Sequence, residues 1–172
     1  MFTPTITYNE LEEGMLLFYR GDSLFSFFIR LWEVLRYWKW RHFFIAFTHI
    51  AQVTYNRELD ILQRYDSMEG LKTGFRECIW KAYVFRFIEP LTARELMLWR
   101  QYLLARKGSS YDLQWAISTI GQEREDIFGD FCSELTTNAL FVAGRITNDS
   151  HKTPYGVYTS LRKKLVFIWV IL

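Results

Sequence analysis

Two cysteines and three histidines are the residues of this chain that could form a thiol nucleophile and its base. Cys78 stands in a β-rich run beside Ile79 and Trp80 and reads as a small buried hydrophobe. Cys132 stands in a different setting. Asp130-Phe-Cys-Ser-Glu-Leu135 opens a helix and sets Cys132 in its first turn. The unpaired N–H groups and the positive end of the helix dipole favour a thiolate there, and the thiolate is the nucleophilic form. A second reading stays open, because Cys132, Leu135, Ala139 and Val142 share one helix face and the cysteine could simply be core.

A thiol nucleophile needs a base. His42 follows Trp40-Arg41 and reads as a boundary residue, and His151 lies in the polar stretch from Thr147 to Lys152 and reads as an exposed loop. His49 lies in the middle of Phe47-Thr-His-Ile-Ala-Gln-Val53. An imidazole inside an apolar strand is either a hydrogen-bonded core residue or a rigidly held general base. It is expected to share a face with Phe47, Ala51 and Val53, and the small Ala51 leaves room beside the ring. The base in turn needs a polar group to fix its tautomer. Gln63 is the first choice, a polar residue on a face otherwise made by Leu59, Ile61 and Tyr65. Asp66, at the end of the same strand, is the reserve.

Those residues need a scaffold, and the periodicity suggests an α+β one. Met15–Tyr19 reads as a short buried strand, closed by the turn signal Arg20-Gly21-Asp22. Ser23 to about Trp40 reads as a helix, with Leu24, Phe27, Phe28, Leu31, Leu35 and Trp38 on one stripe. Ile45–Tyr55 and Leu59–Asp66 read as paired strands turning at Asn56 and Arg57, and Cys78–Ile88 as a further β-rich run. Thr92-Ala-Arg-Glu95 is a capping box, and the helix it starts is expected to stop near Lys107-Gly108. A shorter helix is expected over Tyr111–Ile120, another from Asp130 to Val142 ending at Gly144, and a last strand in Leu165–Leu172.

Composition narrows the function classes. The chain has 172 residues, half of them hydrophobic and 23% charged, which suits one core-forming domain over residues 1–172. A net charge of +2 gives no support for nucleic-acid binding through overall charge. Two cysteines exclude a disulfide scaffold and the common zinc ribbons, and no His/Asp/Glu cluster has ligand spacing, so neither metal nor cofactor is expected. The start, MFTPTITYNELEEG, has no secretory signal pattern, and the longest apolar run, Leu165 to Leu172, is too short to cross a bilayer. The expected location is the cytosol, with release by lysis or carriage in a virion as the phage-type route outward. Aromatic residues make up 19%, more than a core of this size needs. The segment Phe25–Phe44, holding Trp32, Trp38, Trp40, Arg36, Lys39 and Arg41, reads as a core helix with a polar edge or as a membrane-surface contact.

Gly21-Asp22 after a first strand, Thr48-His49-Ile50-Ala51 in a strand, Tyr111-Asp112, and Phe131-Cys132-Ser133-Glu134-Leu135 opening a helix follow one another in that order. This resembles the circularly permuted branch of the NlpC superfamily of papain-like cysteine hydrolases, in which the histidine strand precedes the cysteine. The resemblance runs from about Gly14 to Leu140. It implies a papain-like fold with a small antiparallel sheet and helices packed against it. It further implies Cys132 as nucleophile, His49 as base, a thioester intermediate hydrolysed by water, and the Cys132 N–H as an oxyanion donor. Tyr19, from the first strand, is the candidate tyrosine near the nucleophile. Many permuted members carry Glu where Gln63 falls, so this chain departs from the pattern there. The substrate implied is an amide bond in a peptide or peptidoglycan stem-peptide fragment. Two alternatives remain: the same dyad acting on a lipid ester or amide, as in the lecithin:retinol acyltransferase-like relatives, and an inactive binding or virion-structural module of the same fold.

Overall fold

The computed structural model describes residues 11–21, 26–28, 30–31, 34, 47–67, 72–76, 82–110, 132–147 and 153–170. Within them, six strands form one antiparallel sheet: β1 (Leu16–Tyr19), β2 (His49–Asn56), β3 (Ile61–Asp66), β4 (Gly74–Arg76), β5 (Ala82–Phe87) and β6 (Leu165–Val170), in the spatial order β4-β3-β2-β1-β5-β6. Among the described residues, three helices with defined bounds accompany the sheet: α1 (Ala93–Ala105), α2 (Cys132–Val142) and α3 (Pro154–Leu161). The class is therefore α+β.

Alternation along the strands sorts side chains to two faces. Leu16, Phe18, Ile50, Tyr65, Phe85 and Phe87 pack with Trp99 and Leu103 of α1, Leu135, Ala139 and Leu140 of α2, and Leu161 of α3. Leu17, Ala51, Val53, Ala82 and Val84 make a smaller cluster on the other face with Leu11 and Met15. Phe18, Phe47, Phe85 and Tyr158 form a nest of mostly edge-to-face rings, which accounts for part of the aromatic excess.

The helix ends follow their local sequence. Thr92 Oγ1 accepts from Glu95 N at 3.3 Å and Glu95 Oε2 from Thr92 N at 2.6 Å, the reciprocal capping box. α2 stops at Gly144, whose φ of 77° suits glycine. There Arg145 N donates to Leu140 O and Gly144 N to Phe141 O, a Schellman closure. α3 was not expected, although Thr153 caps it by accepting from Gly156 N at 3.1 Å and Pro154 follows directly, the usual start signal.

Three expectations change. β2 begins at His49, so the imidazole stands at the strand's first residue and not in its middle. Phe47 precedes the strand, is not bound by its alternation, and packs with the helix-side core while Ala51 and Val53 pack on the other face. The turn between β2 and β3 takes Arg57 to Asp60, longer than Asn56-Arg57 alone, with Asp60 at φ 57°. The expected helix over Tyr111–Ile120 lies outside the described residues; of the helix expected from Ser23, residues 26–28, 30–31 and 34 are described and helical.

Candidate active site

The site is built where three element ends meet. β2 starts with His49, β3 ends with Asp66, and α2 starts with Cys132. Antiparallel pairing sets the start of β2 beside the end of β3. His49 Nε2 lies 3.1 Å from Asp66 Oδ2, with the histidine side chain 22% exposed and the aspartate fully buried. The Cys132 side chain lies near enough to the imidazole for its charge to act on it. Since Nε2 is engaged by Asp66, Nδ1 is the ring nitrogen left for the sulfur. Cys132 itself is 4% exposed and packs among the helix-side core residues.

Electrostatics favours a charged imidazole. Burial pulls the His49 pKa down, but the charge of Cys132, the hydrogen bonds to Asp66 and Cys132, and the charge of Asp66 outweigh it and raise it from 6.5 to about 10.

Gln63, the first choice to orient the base, does not reach it. Its Oε1 accepts from Asn56 Nδ2 at 2.7 Å. The reason is register: Gln63 pairs with Thr54, so it belongs with the even-numbered residues of β2 and lies on the face opposite the one His49 shares with Ala51 and Val53. Asp66, the reserve, is the group hydrogen-bonded to the imidazole. Sequence reasoning missed the two guanidiniums that face this carboxylate: Arg64 Nε is 3.0 Å from Oδ2 and Arg76 Nε 3.6 Å from Oδ1. Period-2 spacing puts Arg64 and Asp66 on one strand face, a signal that was available in the sequence.

Tyr19 stands opposite His49 in the β1–β2 register, with ring centroids 5.4 Å apart, and the Arg64 guanidinium lies over the Tyr19 ring at 5.6 Å from its centre. The chain just after β1 is tied to the start of β2: Thr48 N donates to Tyr19 O at 2.9 Å, and Thr48 Oγ1 accepts from Gly21 N at 2.8 Å. Gly21 needs to be small, because a Cβ there would run into Ser26 Oγ and come within 3.2 Å of Thr48 Oγ1.

Among the described residues no group of three His, Cys, Asp or Glu side chains could hold a metal ion, and no helix is long and apolar enough to cross a membrane. Cys78, His42, His151, Asp22, Tyr111, Asp112 and Phe131 lie outside the described residues. No protein-family model matches the chain, and no curated protein matches it.

Proposed function

We propose that the chain is a cysteine hydrolase with a permuted papain-like fold, cleaving amide bonds in peptide or peptidoglycan stem-peptide substrates. The observation that carries this reading is the convergence on His49 of the Cys132 side chain and the Asp66 carboxylate from three separate elements. The order of those elements, a histidine strand before a cysteine helix, supports the permuted arrangement. In this reading Cys132 Sγ attacks the scissile carbonyl carbon and forms a tetrahedral oxyanion near the start of α2. The imidazolium returns its proton to the departing amine, and the thioester is then hydrolysed by a water that His49 deprotonates. Asp66 holds the ring with Nδ1 toward the sulfur.

Mass spectrometry of purified muropeptides after incubation tests the proposal. New fragments with the parent protein and none with Cys132→Ala are expected; unchanged muropeptides with both would overturn the substrate assignment. Phe27 and Phe28, 41% and 56% exposed in the stretch read as a membrane-surface segment, favour a second reading in which the same dyad acts on a lipid acyl group. Co-sedimentation with anionic vesicles distinguishes the two, and absence of binding removes the lipid reading.

A further inference from the structure

Gln52 is fully buried on β2, on the face toward α2, and is an amide in a place where an aliphatic side chain would fill the core. Its Nε2 donates to Thr136 Oγ1, and Thr136 Oγ1 donates in turn to Cys132 O at 2.9 Å. The hydroxyl thus accepts once and donates once, and an unbroken chain of hydrogen bonds runs from the strand to the main chain of the nucleophile. As a stabilising device the arrangement is poor: the other end of the amide, Gln52 Oε1, is buried and has no hydrogen-bond partner.

Its position suggests another role. Gln52 stands three residues after His49 on β2, and Thr136 stands four residues, about one turn, after Cys132 on α2. The base and the nucleophile belong to different elements, and apolar packing between a helix and a sheet leaves sliding along the contact weakly resisted. A directional bond one turn from the nucleophile and on the same strand as the base resists it. Resting on the hydrolase reading above, we infer that Gln52 and Thr136 are positioning residues, a crosslink that sets the distance from Cys132 Sγ to the His49 ring.

The test reads the sulfur directly. Cys132 alkylation by iodoacetamide, quantified on its own peptide by mass spectrometry, is followed against pH for the parent, His49→Ala, Thr136→Val and Thr136→Ser. Thr136→Val keeps shape and loses the hydroxyl; alkylation at neutral pH falls about tenfold or more, the scale of effect of misplacing a reacting group, and the rate recovers only at higher pH. Thr136→Ser restores the parent profile. Gln52→Met, similar in volume, reproduces the Thr136→Val profile and serves if the valine variant does not fold. A folded Thr136→Val or Gln52→Met protein with the parent profile overturns the crosslink while leaving the dyad standing. Equal rates for the parent and His49→Ala overturn the dyad, and the crosslink with it.

Discussion

Two carboxylates sit against opposite ends of β2, and they are held in different ways. Near Thr54 and Tyr55, Glu13 is fully enclosed by directed bonds: Arg100 Nε at 2.9 Å and Nη2 at 2.5 Å, Thr54 Oγ1 at 3.1 Å and Tyr55 N at 3.1 Å. The hydrogen bond to Glu13 also raises the Arg100 pKa above its ordinary value. Beside His49, Asp66 has one imidazole at 3.1 Å, and its other neighbours, Arg64 and Arg76, supply charge at 3.0 and 3.6 Å. Glu13 joins the turn before β1 to α1 through Arg100. Asp66 is the more deeply buried of the two, and its hydrogen bond ends on an imidazole on which the Cys132 side chain also acts. On the hydrolase reading proposed above, the contrast teaches that a carboxylate's partners, more than its burial, decide whether it serves stability or reactivity.

Exchanging carboxylate for amide at each site breaks the comparison most directly. Asp66→Asn is expected to lower turnover by about 10²- to 10⁴-fold, the usual weight of acid–base assistance, because the amide cannot balance an imidazolium. Rates on muropeptide or peptide substrate check it, and a loss below tenfold would mean that the carboxylate is a bystander. Glu13→Gln is expected to lower unfolding free energy by about 1–3 kcal/mol and to leave the pH profile of Cys132 alkylation unchanged, as read by urea titration and site-resolved labelling.

The third outcome concerns pH. The His49 pKa is raised on folding, so its protonated form stabilises the fold. That contribution is complete below 6.5 and is lost as pH rises through about 10. Urea unfolding of parent and His49→Gln across this window should show a stability gap that closes toward the alkaline side. The smallest effect belongs to Gln63→Ala, which removes the bond to Asn56 and should cost about 0.5–1.5 kcal/mol with turnover unaltered; a large loss of turnover would return Gln63 to the site.

Much of this arrangement is legible in the sequence. Thr92 and Glu95 marked a helix start, Gly144 a helix end, and Asp130 to Leu135 a helix opening at a cysteine, because caps are decided by neighbouring residues. The choice between Gln63 and Asp66 was not local. It depends on which residues of β2 and β3 stand opposite each other, and therefore on the turn from Arg57 to Asp60; one residue more or less would swap the faces. The Arg64 and Arg76 neighbours of Asp66 come from two strands whose pairing short-range patterns do not specify. α3 carried a readable Thr-Pro start, but eight residues with a glycine give too short a stripe for periodicity to register.

The strand order has a consequence for assembly of the fold. β5 lies between β1, which precedes it by more than sixty residues, and β6, which follows it by nearly eighty. Until β6 docks, the outer backbone of Ala82–Phe87 is an open template with phenylalanines at positions 85 and 87. The interval in which a growing or partly unfolded chain is prone to stick to its own copies is therefore set by the last strand to arrive, and removing Leu165–Val170 would make that interval permanent.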